Sequence, residues 1–346
     1  MADAVRAGII GAGFIGTVHA HAVRAAGGQV TRVAASTPDR GAQAASRLGA
    51  RAASGSGEEL VDADDVDVVH ICTPNSTHVP LARRALAAGK PVVCEKPLAT
   101  NLPDARQLAG EAAGHVATVP FVYRFYPAVR EARARVAAGG AGPLILLHGA
   151  YLQNWQAGDG PAGWRGDAAE GGAHRAFADV GVHWCDLVEF TSGHRITRLL
   201  ATTAAGGRAT TVQFATDGGA SGSVVVSQAA HGRRNALRIS LDGERAAYRF
   251  DQEDPETLLV GGPDGDLAVH RGAPGYSDAA AHYSLLPPGH PQGYQDCFNA
   301  FVADSYAAIR GETPDGLPTF DDGLRAAVLT DAVIRSSDSA AWVDVP

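Results

Sequence analysis

The feature that most constrains this chain is the turn Gly11-Ala12-Gly13-Phe14-Ile15-Gly16, which follows the apolar run Val5–Ile10 and opens the helical pattern Gly13–Ala26. A strand that ends in G-x-G-x-x-G and passes straight into a helix is the first half of a βαβ unit shaped for a dinucleotide. Gly11 permits the tight turn, Gly13 lets the backbone approach a pyrophosphate, and Gly16 lets the helix pack closely. The phosphate charge is met by the helix N-terminus and its N–H groups. Alone the motif is a weak signal, because glycine is abundant here; its place between a strand and a helix is what makes it specific.

The same alternation continues. Val30–Ala35, Val66–Cys72, Pro91–Cys94 and Val116–Tyr123 read as short buried strands, with helices near Arg40–Leu48 and over the Ala-rich run Thr77–Ala88. Strands alternating with helices predict a doubly wound parallel sheet, a Rossmann domain over residues 1–122. A helix over Pro127–Ala138, a strand over Pro143–Leu152, a polar loop at Trp155–Ala173 and helical spacing in Ala176–Thr191 come next. From Arg195 to Arg271 the apolar period becomes two, with turn signals at Asp217-Gly218-Gly219 and Asp242-Gly243, which predicts an antiparallel sheet. Asp296–Ile309 and Phe320–Ser336 read as closing helices, so residues 123–346 are expected to form a second, α+β domain. A length of 346 residues is more than one core usually takes.

Bulk properties exclude several classes. The net charge is −8 with no dense Lys/Arg cluster, so the footprint of nucleic-acid binding is missing. Cys72, Cys94, Cys185 and Cys297 are widely spaced, with no C-x-x-C pair, and suggest neither a disulfide framework nor a zinc site. The first strand begins within a few residues of the N-terminus, leaving no room for a signal peptide, and no apolar run approaches the roughly 20 residues of a membrane helix. A cytoplasmic protein is expected.

A dinucleotide site selective for NAD usually places Asp or Glu at the end of the second strand, on the ribose 2′-hydroxyl. Here that point reads Ser36-Thr37-Pro38-Asp39-Arg40. Arg40 can pair with a 2′-phosphate, no carboxylate stands at Ser36 to repel it, and Asp39 falls in the turn into the next helix. The expected cofactor is NADP, with NAD as the alternative.

Three further segments extend the pattern: Cys72-Thr73-Pro74-Asn75-Ser76-Thr77-His78, Glu95-Lys96-Pro97 and Asp179-Val180-Gly181-Val182-His183-Trp184-Cys185-Asp186. Together with the glycine turn, and in this order, they resemble the glucose–fructose oxidoreductase/inositol dehydrogenase/rhizopine catabolism (Gfo/Idh/MocA) family over nearly the whole chain. The resemblance implies a Rossmann domain followed by a domain for substrate binding and oligomerisation with a large, open, predominantly antiparallel sheet, and a homodimer or homotetramer formed through that sheet. It implies hydride transfer between a nicotinamide and a secondary alcohol or ketone carbon of a sugar, sugar derivative or cyclitol. It also implies that Lys96 is the active-site lysine, commonly followed by a cis peptide to proline, and that Asp179 and His183 are the acid/base pair. Thr73, Pro74, Asn75, His78, Glu95 and Lys96, at the carboxyl ends of parallel strands, are expected along the cofactor, with Trp164 and Arg165 from the polar loop.

These assignments suit the chemistry. Oxidising an alcohol requires a base for the hydroxyl proton, and imidazole serves near neutral pH. Asp179 and His183, at i and i+4, share a helix face, and Lys96 offers a cation to a developing alkoxide. Tyr123, Arg124, Asn154 and Tyr294 are candidate partners of substrate hydroxyls, as are Lys96, Asp179 and His183. His174, Asp179, His183 and Asp186 match no zinc spacing, so no metal is expected. Asp186 reads as a structural hydrogen-bond partner, and His19 and His21 as ordinary positions on the first helix. Two other readings stay open: an enzyme that keeps its cofactor tightly held through redox-assisted glycoside cleavage or sugar-to-sugar hydride transfer, and a dinucleotide-binding regulator. The presence of Lys96, Asp179 and His183 argues against the second.

Overall fold

The apolar runs of the first third become the strands of one parallel sheet. The computed structural model describes residues 4–158 and 176–346. In chain order its first unit holds β1 (Arg6–Ile10), α1 (Phe14–Ala25), β2 (Gln29–Ala34), α2 (Pro38–Leu48), β3 (Ala52–Ala53), α3 (Gly57–Asp62), β4 (Val68–Ile71), α4 (His78–Ala87), β5 (Val92–Cys94), α5 (Leu102–Glu111) and β6 (Ala117–Thr118). The strand order is β3-β2-β1-β4-β5-β6, with every pairing parallel. Because the order reverses between β1 and β4, the loops leaving those two strands flank the crevice where ligands of such sheets bind. Ala7, Ile9, Val33, Val68, Val69, Ile71 and Val92 are fully buried, as expected of strands covered on both faces.

Some elements differ from expectation. The strand predicted over Val116–Tyr123 pairs only at Ala117–Thr118, because beyond it the backbone leaves the sheet: Val119 N donates to Pro318 O at 3.1 Å and Phe121 N to Val119 O at 2.8 Å. The short β3, α3 and α5 have no counterpart in the sequence reading. Ser56 and Asn101 cap α3 and α5 through hydrogen bonds from Glu59 N and Asp104 N.

The second unit comprises α6 (Pro127–Ala137), β7 (Leu144–Leu152), a π-helical turn over Phe177–Gly181 running into α7 (Val182–Ser192), then β8 (Ile196–Ala204), β9 (Ala209–Thr216), β10 (Ser221–Ser227), β11 (Ala236–Gly243), β12 (Ala247–Asp251), β13 (Thr257–Gly262) and β14 (Gly265–His270). The chain then forms α8 (Asp278–Ala281), α9 (Tyr294–Ile309), α10 (Phe320–Ser339) and β15 (Val343–Asp344). Nine strands form one open sheet in the order β14-β13-β12-β11-β7-β10-β9-β8-β15. All pairings are antiparallel except β7 with β10. The period of two now has a physical meaning. Leu147, Tyr151, Val224, Val226, Leu237, Ile239, Phe214 and Phe250 are buried on one face. On the other face, Leu146, Val225 and Leu259 are exposed among polar neighbours.

α7 packs on the buried face at a glycine. A Cβ on Gly149 would lie 2.8 Å from Trp184 Nε1 and 2.0 Å from Arg238 O. The missing side chain lets the Trp184 indole donate to Arg238 O at 2.8 Å, which sets the depth of the helix on the sheet.

The closing helices do not all belong where the sequence reading put them. Residues up to Val122 form one compact unit together with Tyr294–Ala327, whereas the described residues between Tyr123 and Gly293 and the segment Val328–Pro346 form the second. α9 packs along α1; Phe298, Phe301, Val302 and Tyr306 give it a buried apolar face that the helices on the sheet need. Among the described residues, no helix is long and apolar enough to cross a membrane.

Candidate active site

β1 delivers the chain to Gly11, whose φ of +101° lies in the region that favours glycine. A Cβ there would stand 2.3 Å from the Cys72 carbonyl oxygen, so this turn and the one after β4 are packed backbone to backbone. At Gly16 a Cβ would fall 2.0 Å from Gly11 O, which is why the helix can begin so close to the turn. Gly13 differs: its φ is −75°, and a Cβ would meet nothing within 4 Å. α1 starts there with no side-chain cap and no acidic residue in its first turn, whereas Thr37, Ser56 and Asn101 cap α2, α3 and α5. An uncapped helix start facing open space fits an anionic group. Phe14, 77% exposed, and Ile15 follow in the first turn.

Arg47, which the sequence reading missed, reaches back from the last turn of α2 and donates to Ala12 O at 2.6 Å. It adds a cation to the rim of the glycine turn. At the end of β2, Thr37 Oγ1 accepts from Arg40 N at 3.3 Å, and Arg40 Nη1 donates to Ser36 Oγ at 3.2 Å. The guanidinium and a hydroxyl thus meet on an exposed edge, with Asp39 the acidic residue in the first turn of α2.

The loops after β4 and β5 are tied together by His78. Its ring is fully buried, with Nδ1 2.8 Å from Pro97 O and Nε2 3.0 Å from Thr73 O. Burial pulls its pKa below the ordinary histidine value, against the two carbonyls, which favour the charged ring. His78 was expected beside the cofactor; its two nitrogens face backbone carbonyls of the two loops, and the neutral ring donates to one of them. Thr77 Oγ1 adds bonds to Thr73 Oγ1 at 2.6 Å and Pro74 O at 2.8 Å, which shape the Thr73–Asn75 turn.

Glu95 likewise points inward. It is 8% exposed, with Oε1 3.1 Å from His19 Nε2 and Oε2 accepting from Lys96 N at 3.2 Å. Lys96 follows at the half-buried edge of β5, and its peptide bond to Pro97 is cis. His19 is no ordinary helix position: it is fully buried, and its Nδ1 meets His70 Nδ1 at 2.9 Å.

In the second unit, Asp179 lies in the π-helical turn and His183 at the start of α7. π-turns of this kind recur at functional positions. Asp179 Oδ2 accepts from Gln228 Nε2 at 2.6 Å, and the Tyr123 ring stands edge-on to the His183 ring at 5.2 Å. Gln228, fully buried on the strand end after β10, was not predicted. A lone glutamine in an apolar run gives no local signal. Tyr123 is bonded to the hydroxyl of Tyr151 at 2.5 Å, and Tyr151 donates to Asn235 Oδ1 at 2.8 Å.

The other expected substrate contacts are placed differently. Arg124 is buried in an ion pair with Asp186, Nε to Oδ2 at 2.9 Å, and its guanidinium lies 5.0 Å over the Phe190 ring. Its bonding is structural, as Asp186 suggested. Asn154 is exposed and its carbonyl accepts from Ala157 N. Tyr294 begins α9 with its ring against Phe298 at 5.1 Å. Trp164, Arg165 and His174 lie outside the described residues. Among the described residues, no group of three His, Cys, Asp or Glu side chains could hold a metal ion.

Comparison with known proteins places this arrangement. Residues 5–121 match a family described as an oxidoreductase family with an NAD-binding Rossmann fold, and residues 129–249 match the GFO/IDH/MocA C-terminal domain. A levoglucosan dehydrogenase of Pseudarthrobacter phenanthrenivorans is 30% identical over 98% of this chain and 97% of its own length. An inositol 2-dehydrogenase of Rhizobium meliloti is 28% identical over 96% of each chain. A solved levoglucosan dehydrogenase in complex with NADH and levoglucosan superposes with a TM-score of 0.92 at 28% identity, covering 99% of this chain and 100% of the other.

Proposed function

The chain belongs to the Gfo/Idh/MocA family of NAD-binding oxidoreductases, and we propose that it interconverts a secondary alcohol and a ketone on a sugar, anhydrosugar or cyclitol ring with a nicotinamide dinucleotide. The observation that carries this reading is the uncapped start of α1 at Gly13, where open space adjoins unshielded helix N–H groups. Those groups and Arg47 suit the diphosphate, while the Thr73–Asn75 turn, packed against Gly11, suits the rest of the dinucleotide.

When bound, the cofactor supplies the hydride acceptor. The protein's task is to remove the hydroxyl proton and steady the oxygen. His183 carries its Nδ1 inside the fold, so Nε2 is the nitrogen to take the proton as the C–H bond gives up its hydride and the carbonyl forms. Asp179, fixed by Gln228, holds negative charge on the same helical face and favours the imidazolium so produced. Lys96 places an ammonium group for the alkoxide that develops as the proton leaves.

We read the cofactor as NADP. Ser36 and Arg40 present donors where a 2′-phosphate would lie, and the acidic residue Asp39 stands in the first turn of α2. The complex of a relative with NADH makes NAD the competing outcome. The exposed Leu146, Val225 and Leu259 on the outer sheet face support association of copies through it, a reading that sedimentation tests.

The decisive experiment is fluorescence titration with NADPH and NADH, followed by turnover of levoglucosan, pyranoses and inositols. Lys96→Ala and His183→Ala should each lose about 10²–10⁴-fold in kcat while still binding cofactor. Full activity in both variants would remove the assignment.

A further inference from the structure

A line of buried polar groups runs through the first unit to the back of Lys96. Tyr306, on α9, has its hydroxyl 3.0 Å from His70 Nε2; His70, on β4, has Nδ1 2.9 Å from His19 Nδ1; His19, on α1, has Nε2 3.1 Å from Glu95 Oε1. Glu95 Oε2 in turn accepts the Lys96 backbone N–H at 3.2 Å. Tyr306, His70 and His19 are fully buried, out of reach of bulk water, so their polar atoms depend on partners within the fold.

Only one direction of donation satisfies the whole line. Suppose the Tyr306 hydroxyl donates to His70 Nε2. His70 then carries its proton on Nδ1 and donates to His19 Nδ1, and His19 carries its own on Nε2 and donates to Glu95. Every atom has a partner and both rings are neutral. The reverse direction has His70 Nε2–H donating to the tyrosine oxygen, which leaves the Tyr306 proton with no acceptor among the described residues. It also turns His19 Nδ1 into a donor, so that a second proton is required on Nε2 to face Glu95. That arrangement buries an orphaned hydroxyl proton and a charged ring together. Burial holds the His70 ring well below its usual pKa, in keeping with a neutral ring.

We propose that Tyr306, His70 and His19 are positioning residues: a one-way chain of donors that locks the Glu95 carboxylate and, through its bond to Lys96 N, the seat of the lysine. The far end at Tyr306 is sealed from solvent, so the chain orients and does not conduct protons to water. It rests on the reading of Lys96 as a group of the active site. It assigns a function to His19, three residues past the last glycine of the turn, that the glycine motif leaves unexplained. The donors come from α1, β4 and α9, so one carboxylate is set by three elements at once.

Two measurements test it. Nitrogen-15 NMR of the histidines in the intact protein should show His70 as the Nδ1–H form and His19 as the Nε2–H form; the opposite tautomers, or a doubly protonated His19 at neutral pH, overturn the direction. Kinetics test the function. Tyr306→Phe and His19→Phe should each lower kcat by about tenfold or more, with cofactor Kd and substrate KM within about twofold of the parent. His19→Gln, whose amide can still donate to Glu95, should recover part of the loss. Parental kcat in folded Tyr306→Phe and His19→Phe overturns the positioning role, as does loss in His19→Gln equal to that in His19→Phe. Lys96→Ala is run beside them. If it stays active, the reading of the site has failed; if it is inactive while the chain variants are parental, only the positioning proposal has.

Discussion

Gln228 donates to Asp179 across 2.6 Å, from a strand end to a π-helical turn. The carboxylate is therefore oriented by the fold before any substrate arrives. Among the described residues Gln228 Oε1 is buried with no partner, whereas its nitrogen holds Asp179. Gln228→Leu should lower kcat/KM by about tenfold, close to the worth of one hydrogen bond to a charged group. Steady-state kinetics at saturating cofactor would show it, and an unchanged kcat/KM would mean that Asp179 needs no such support.

Gly11 and Gly13 should fail in different ways. Gly11→Ala forces a Cβ to 2.3 Å from Cys72 O at a φ of +101°, and should cost about 1–3 kcal/mol of stability along with cofactor binding. Gly13→Ala meets nothing within 4 Å. It should keep the parental melting temperature and weaken dinucleotide binding alone. Calorimetry beside NADPH titration separates the two, and equal losses of stability would contradict the geometry.

Arg40 tests the choice of cofactor. Arg40→Ala removes the guanidinium that lies on Ser36 Oγ, and should weaken NADPH binding by about tenfold while leaving NADH within about twofold. A preference that does not move under this change sinks the NADP reading.

Acid should destabilise the protein through its buried rings. His70 and His78 both have pKa values lowered by burial. In the folded state they stay neutral where the unfolded chain binds protons, so the unfolded state binds more protons below the ordinary histidine value of 6.5. Stability is then complete above that pH and falls as pH drops through the window beneath it, by up to about 1.4 kcal/mol per pH unit for each ring. Thermal melts between pH 7.5 and 5 check this; a flat melting temperature would show that neither ring resists protonation.

What the sequence made legible was local. The glycine turn, the Thr73–His78 and Glu95–Pro97 loops and the Asp179/His183 spacing each sit within a few consecutive residues, where turn geometry and helical period act. What escaped it joins distant positions. His19 and His70 are 51 residues apart, and His70 and Tyr306 are 236 apart. No periodicity records such a meeting. The parallel pairing of β7 with β10 escaped for the same reason, since alternation tells which face a residue takes and says nothing of its neighbour strand. α3 was hidden by its length of six residues, and α5 by alanine on its buried face, which weakens the contrast between helix faces. Arg124 misled because an arginine beside a tyrosine reads equally as a ligand contact or as half of the ion pair that Asp186 completes.

The packing of α9 along α1 also bears on how the protein is made. Gly16 precedes Tyr294 by 278 residues, so the glycine turn leaves the ribosome well before the helix that covers α1. At cellular synthesis rates of about 5–20 residues per second, the interval is on the order of fifteen to fifty-five seconds. Throughout that time the ring of His19 lacks the cover that Phe298 supplies. A ribosome-bound fragment ending near Val122 should therefore remain protease-sensitive and open to chaperones, and the nucleotide-binding unit is complete only once α9 has emerged.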